Sequence, residues 1–112
     1  MVAQPDPMSY TLVDLDGLQD DISDWQDRTF PGGGTEGRMN HAAEELDEIK
    51  AEPGDVEEYA DVLILLMGQA KKFGITASEL ILAARHKHGI NREREWGDVR
   101  ENGVVHHHKE AE

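Results

Sequence analysis

Apolar residues recur along the chain at helical spacing, beginning with a stripe near its start. The stripe has successive gaps of three, three, four and three residues and consists of Leu12, Leu15, Leu18, Ile22 and Trp25. Such gaps keep side chains on one helix face, so we predict an amphipathic helix over about residues 9–29. Ser9 is its candidate N-cap. Residues 1–8 carry two prolines and little periodicity, which predicts a loose arm.

Two further helices follow a glycine-rich break, PGGGTEG, at residues 31–37. That segment lacks the frame of a phosphate-binding P-loop, which favours a flexible loop between helices. A second helix is predicted over about residues 37–51, and its apolar stripe consists of Met39, Ala42, Leu46 and Ile49. A third, over about residues 54–73, is apolar on more than one face. We therefore expect it to be the central and most buried helix, shared with a subunit interface, and to end at Gly74.

A fourth helix is predicted over about residues 77–93, opened by Thr76 or Ser78. Strand signals of any strength, internal repeats and coiled-coil heptads are absent from the sequence. These patterns predict an all-α fold, a four-helix bundle formed by one domain over residues 1–112, with residues 97–112 as a C-terminal tail.

Acidic residues form two pairs at helical spacing around the Pro-Gly break between the second and third helices. Glu45 and Glu48 are three residues apart, as are Glu58 and Asp61, so each pair lies on one helix face. A turn at the break can bring the two pairs together. The alternative is a solvated acidic face, which is common for acidic runs.

The apolar run that follows the second pair argues against a solvated face. Residues 62–67, VLILLM, continue directly from Asp61, so these acids lie beside a core. Close carboxylates repel by about 4 kcal/mol at 4 Å for an effective dielectric near 20 unless a cation lies between them. Oxygen ligands without cysteine suit Mg²⁺ or Mn²⁺, which commonly also hold a substrate phosphate.

Cationic and amide side chains follow on the fourth helix. Lys87, Asn91 and Arg94 are separated by four and three residues and so share a face. They are either a solvated helix end whose cations complement the helix dipole or, opposite the carboxylates, the second side of a phosphate site. His106, His107 and His108 could bind metal, belong to a purification tag, or lie in a tail that closes over the site or a neighbouring subunit.

Composition narrows the possible partners. The formal net charge is −13, which disfavours nucleic acid and anionic membranes as partners. There is no cysteine, no apolar leader at the N-terminus and no run long enough to span a bilayer, so we expect a soluble cytoplasmic protein. A chain of 112 residues is short for a deep pocket, which favours a homo-oligomer, a dimer or tetramer.

The motifs together resemble those of the MazG-like all-α NTP pyrophosphohydrolases. EELDE at 44–48 with EYAD at 58–61 resembles the family's EExxE and ExxD signature, and KHGINREREW at 87–96 resembles its KxxxNxxRxW element. The resemblance is strongest to the dATP/dGTP diphosphohydrolase branch, which includes phage enzymes, and it covers roughly residues 25–109. It implies a bacterial or phage-infected cytoplasm.

The resemblance also implies roles for individual residues. The metal ligands would be Glu45, Glu48, Glu58 and Asp61. Glu44 would be an additional or outer carboxylate, and Glu44 or Glu48 could accept a proton from water. The phosphates would be held by Lys87, Asn91 and Arg94. The first helix and the loop after it would bind the base through Trp25, Gln26 and Phe30.

The favoured function is therefore a Mg²⁺- or Mn²⁺-dependent pyrophosphohydrolase that converts a purine dNTP, dGTP or dATP, to the dNMP and pyrophosphate. The rival hypothesis is a non-enzymatic acidic helical module for interaction or metal buffering on the same scaffold. It explains the charge but not why Lys87, Asn91 and Arg94 share one face.

Overall fold

The computed structural model describes residues 14–108, which are helical except for a paired segment near the end. The helices are α1 (Leu15–Thr29), α2 (Thr35–Ala51), α3 (Val56–Lys72) and α4 (Ala77–Glu93). Over these described residues, the prediction of an all-α fold with four helices is confirmed. The chain divides into two compact units, Met1–Leu80 and Ile81–Glu112. None of the helices in the described part is long and apolar enough to cross a bilayer.

The start of α1 was predicted too early. Asp14 has an extended backbone, and its side chain accepts a hydrogen bond from the Gly17 N–H at 2.9 Å. The Asp14 carboxylate accepts from an N–H of the first turn, which an apolar side chain could not do. The helix therefore begins at the next residue, Leu15. Ser9 and the predicted arm over residues 1–8 lie outside the described residues.

In the first unit, α3 packs against both α1 and α2. The turn before it contains Pro53 and Gly54. Asp55 caps α3 by accepting from the Glu57 N–H at 3.0 Å, and the Tyr59 hydroxyl donates to the Pro53 carbonyl at 2.8 Å. The tight turn makes α2 and α3 antiparallel and brings them together, as a turn at the Pro-Gly break was predicted to do. Ion pairs join α3 to α1, among them Lys71 with Asp20 at 2.7 Å.

The junction between α3 and α4 is closed by backbone and side-chain hydrogen bonds. Gly74 has a φ of +74°, and the N–H groups of Gly74 and Ile75 donate to the last carbonyls of α3 at 3.0 Å, which ends the helix as predicted. Thr76 caps α4 by accepting from the Glu79 N–H at 3.0 Å. A second N–H in the first turn of α4, that of Ser78, donates to Asp16 of α1 at 2.8 Å.

A buried glutamine on α1 completes this junction. Gln19 is only 1% exposed. Its Nε2 donates to the carbonyls of Met67 at 3.0 Å and Ile75 at 2.9 Å, and its Oε1 accepts from the Ala77 N–H at 2.8 Å. Every polar atom of the side chain therefore has a partner, and α1 is held against the α3–α4 junction.

Over the described residues, α3 has more buried residues than any other helix, as predicted. Leu65, Met67 and Gly68 are buried against the other helices. The remaining apolar residues of α3 include several that are exposed in the single chain, namely Val56, Tyr59, Leu63, Ile64 and Leu66. α3 is central because it packs against both α1 and α2. These contacts cover one side of α3, so the apolar face on its other side is exposed.

In the second unit, residues 95–108 form a hairpin-like segment where the sequence predicted no strand pairing. Trp96 and His107 form an antiparallel bridge, and their rings lie edge to face at 5.7 Å. Gly103 has a φ of +84°, so the turn uses the conformational freedom of glycine. The backbone of the predicted histidine run is paired here, since the His106 carbonyl accepts from Gly97 N–H at 3.0 Å.

Candidate metal centre and adjoining cleft

The two acidic pairs meet where α2 and α3 approach the Pro-Gly turn. Each pair is three residues apart on its helix, and the helices are antiparallel, so the pairs face each other. One carboxylate oxygen from each of Glu45, Glu48, Glu58 and Asp61 lies within 4.8 Å of the others. The structure thus brings together all four predicted ligands. Glu44 is exposed on α2 and is not a member of this group.

The charges of this cluster are poorly balanced by the protein alone. A hydrogen bond to Glu48, together with burial and nearby carboxylates, raises the pKa of Glu58 to about 7. Burial, then Glu48 and Asp61, raise the pKa of Glu45, and only His41 opposes this. One buried oxygen each of Glu45 and Glu58 has no hydrogen-bond partner in the described part of the protein. Partnerless acceptors in an all-oxygen cluster fit a hard divalent cation, Mg²⁺ or Mn²⁺.

His41 is a contact of this cluster that sequence reasoning missed. Its Nε2 lies 3.1 Å from Glu45 Oε1, and the Glu45 side chain is only 12% exposed. The spacing of four residues between a histidine and an acid on one helix was the available signal. His41 therefore restricts the orientation of one predicted ligand.

A cleft of about 420 Å³ adjoins the carboxylates between α1, α2 and α3. It is lined by residues from all three helices and from the glycine loop: Trp25, Gln26, Asp27, Phe30, Gly33, Gly34, Gly37, Arg38, His41, Glu45, Asp61, Ile64 and Leu65. The three residues predicted to bind the base thus share one cleft with two predicted metal ligands. Their roles stay predictions.

Aromatic rings form the α1 side of the cleft. Trp25 is 52% exposed and packs edge to face against Phe30, with ring centroids 5.5 Å apart. This exposure agrees with a ring at the edge of the core and not with a fully buried core residue. Gln26 lies against Gly68 of α3, where a Cβ would collide with its amide. The glycine therefore leaves room for Gln26 to reach the cleft.

Arg38 is the second cleft residue that sequence reasoning missed. Its Nη2 donates to the Gly33 carbonyl at 3.0 Å, and its Nη1 donates to Gln69 Oε1. Gln69 in turn donates through Nε2 to Thr35 Oγ1 at 2.8 Å. This network ties the glycine loop and the start of α2 to α3. It joins residues more than 30 positions apart, so spacing could not reveal it.

The predicted phosphate-binding residues lie in the second unit. Lys87 is exposed, whereas Asn91 and Arg94 are half-buried and in contact at 3.4 Å, with Arg94 just beyond the end of α4. The Asn91 carbonyl accepts from Trp96 Nε1 at 2.8 Å, which links this group to the hairpin. Their predicted position opposite the carboxylates stays a prediction. Over residues 14–108, the histidine run joins no group of candidate metal ligands.

Comparison with known proteins gives three results. The family model for dATP/dGTP pyrophosphohydrolase matches residues 18–112. A dATP/dGTP diphosphohydrolase of Salmonella phage PMBT28 is 36% identical over 98 residues, which cover 87% of this chain but 31% of that relative, so the chain spans about a third of its length. A cyanophage S-2L MazG-like pyrophosphohydrolase, solved with dGDP and three catalytic Mn²⁺ ions per active site, has a TM-score of 0.69 and 32% identity, covering 87% of this chain and 99% of that one.

Proposed function

The chain belongs to the dATP/dGTP pyrophosphohydrolase family, and from this premise we propose that it hydrolyses a purine dNTP, dGTP or dATP, to the dNMP and pyrophosphate. The observation that carries the proposal is the four-carboxylate cluster, in which two buried oxygens have no partner, at the end of a cleft with aromatic walls. The cluster suits divalent cations, and the aromatic rings suit a base. The dGDP and Mn²⁺ in the cyanophage neighbour support both assignments.

The carboxylates are proposed to hold Mg²⁺ or Mn²⁺ through Glu45, Glu48, Glu58 and Asp61. Bound there, divalent ions would lower the pKa of a water molecule and balance the charge of the triphosphate. His41 keeps the Glu45 carboxylate oriented through its 3.1 Å contact. Glu48 is more exposed than Glu45, which leaves it accessible to water. We therefore propose Glu48, or the exposed Glu44, as the proton acceptor.

We propose positions for the rest of the nucleotide from the residues that line the cleft. Its acidic end takes the phosphates, and the Trp25 and Phe30 rings at its other end take the purine, with Gln26 able to donate to and accept from a base edge. Lys87, Asn91 and Arg94 are proposed to hold phosphate oxygens. This assignment rests on the family motif at residues 87–96.

We also propose that the protein is a homo-oligomer, a dimer or tetramer. Support comes from the exposed apolar face of α3, because a self-complementary contact along it would remove Tyr59, Leu63 and Leu66 from water. The bacterial or phage-infected cytoplasm, where the substrate would be met, stays a prediction.

Product analysis tests the proposed function directly. The protein is incubated with each dNTP and Mn²⁺ or Mg²⁺, and pyrophosphate is separated from orthophosphate by ion exchange. We expect dNMP and pyrophosphate from dGTP or dATP, and no reaction with EDTA. Metal binding without turnover of any nucleotide would instead favour the non-enzymatic acidic module.

Amide variants show whether the cluster is responsible. Glu45→Gln, Glu48→Gln, Glu58→Gln and Asp61→Asn should each abolish turnover while the metal-free melting temperature stays near or above wild type, because repulsion is relieved. The matched control is Asp47→Asn, which removes one charge from the same helix at a side chain that is 79% exposed and outside the cluster. Equal loss in the control, or full activity in the cluster variants, would contradict the assignment.

A further inference from the structure

We infer that Arg38 reads the base in the cleft and selects guanine over adenine. This inference rests on the function proposed above, because it requires a purine nucleotide in that cleft. The observation behind it is a guanidinium that lines the cleft, is held in place at two atoms, and keeps donors free.

The position of Arg38 along α2 places it at the base end of the cleft. Arg38, His41 and Glu45 are spaced by three and four residues and all line the cleft, so they lie along one face of the helix. Seven residues separate Arg38 from Glu45, which is roughly 10 Å along the helix axis. If the phosphates of the nucleotide lie at Glu45, the Arg38 side chain, two helical turns away, lies beside the base.

The contacts of the glycine loop also place Arg38 near the proposed position of the base. Arg38 donates to the Gly33 carbonyl, and the Gly33 N–H donates to the Phe30 carbonyl at 3.2 Å. Phe30 packs against Trp25, so the guanidinium is two hydrogen bonds from the aromatic pair. A purine lying on these rings would present an edge to Arg38.

The chemistry of the guanidinium decides which edge fits. Arginine has five N–H donors and no acceptor. Gly33 and Gln69 use one donor each, on Nη2 and Nη1, which leaves three. Guanine offers two acceptors side by side, O6 and N7, and takes a bidentate pair from arginine. Adenine has an amino donor in place of O6, so one arginine donor would face another donor.

The side chain cannot easily turn away from this mismatch. Gln69 is itself held by Thr35, and Arg38 is half-buried. A held donor that meets adenine stays unpaired, and a well-formed bidentate pair is expected to discriminate by about 5- to 150-fold in kcat/KM.

Base analogues test the inference in the wild-type protein. We expect kcat/KM to be similar for dGTP and dITP, which share O6 and N7, and at least fivefold lower for dATP. Removal of N7 alone, in 7-deaza-dGTP, should lower kcat/KM severalfold relative to dGTP. Equal rates for dGTP and 7-deaza-dGTP, or for dGTP and dATP, would overturn the role of Arg38.

A matched pair of variants then assigns the effect to Arg38. Arg38→Gln replaces a donor-only group by an amide that can pair with the N6 and N7 of adenine, so the dGTP preference should collapse or invert while dATP turnover persists. Gln69→Leu loosens the anchor but keeps the guanidinium, so KM should rise for both nucleotides with the guanine preference retained. These readouts separate base reading from a purely structural role.

Different failures have different meanings. If Arg38→Gln lowers dGTP and dATP turnover by the same factor, Arg38 holds the loop or a phosphate, and the inference is wrong although the proposed function stands. If wild type hydrolyses no purine dNTP, the proposed function fails and this inference fails with it. Where Arg38→Gln does not fold, the wild-type analogue series still tests the inference, because equal rates for dGTP and 7-deaza-dGTP overturn it.

Discussion

Removal of the Trp25 indole should weaken purine binding far more than a comparable loss of packing elsewhere on α1. Trp25 is 52% exposed, so about half of its surface is packed, part of it against Phe30. Burial of roughly 100 Å² at about 25 cal/mol per Å² gives about 2.5 kcal/mol as the stability cost of Trp25→Ala. The domain should remain folded, with a melting temperature lowered by roughly 10–20 °C.

The exposed half of the ring determines the effect on binding. Stacking of a base on an aromatic ring contributes about 1–3 kcal/mol. Its loss should therefore raise KM for purine dNTPs by about tenfold or more. Metal affinity should not change, because the four proposed ligands lie on α2 and α3 and Trp25 lies on α1.

Two measurements separate binding from stability. Steady-state kinetics give KM, and isothermal titration calorimetry with dGMP gives a dissociation constant without turnover for wild type and variant alike. Direct binding is needed because KM equals Kd only when chemistry is slow. The matched control is Leu18→Ala, two turns earlier on α1, which is similarly exposed and does not line the cleft.

The control should lose stability and keep its KM. If Trp25→Ala instead loses several kcal/mol of stability with an unchanged KM, the tryptophan serves the core and the base is bound elsewhere. Trp25→Phe should recover most of the affinity, since a smaller ring still stacks.

Four further predictions concern other parts of the protein. The pKa of Glu58 is raised from 4.5 to about 7, so its carboxyl group binds more protons in the folded than in the unfolded state between these values. The Glu58 contribution to metal-free stability should be fully present below pH 4.5 and be lost as pH rises through 7, and saturating Mn²⁺ should remove this slope in thermal scans. Glu58→Gln is the control for that slope. Lys87→Ala and Asn91→Ala should lower kcat/KM by the same factor for every accepted nucleotide; a loss confined to one base would assign them to base binding. Gln19→Leu leaves the Ile75 carbonyl and the Ala77 N–H unpaired, at about 1–3 kcal/mol each, whereas the Met67 carbonyl keeps its bond within α3. Urea unfolding should therefore show a loss of at least about 2 kcal/mol, and a loss below about 1 kcal/mol would mean that water replaces the amide. Light scattering at micromolar concentration should give a dimer or tetramer, and a monomer would contradict the proposed contact along α3.

Local sequence signals predicted the helices and the two acidic pairs because both depend on near neighbours. The Pro-Gly break, Gly74 and Thr76 marked helix ends through backbone preferences that act within a few residues. Spacing of three residues placed each acidic pair on one face, and the four carboxylates meet as predicted. The start of α1 was predicted wrongly although it too depends on near neighbours. The apolar stripe begins at Leu12 and was taken to mark the helix, whereas the cap at Asp14 starts the helix after that residue.

Contacts between distant residues were decided only by the tertiary structure. Gln19 has no sequence pattern that marks it as buried, and its three partners lie 48 to 58 residues away. The Arg38–Gln69 bond spans 31 residues. Pairing of the hairpin depends on backbone donors that any sequence possesses. Periodicity records which face of a helix is apolar, whereas the choice of neighbour depends on how all helices pack at once, and that packing formed the cleft.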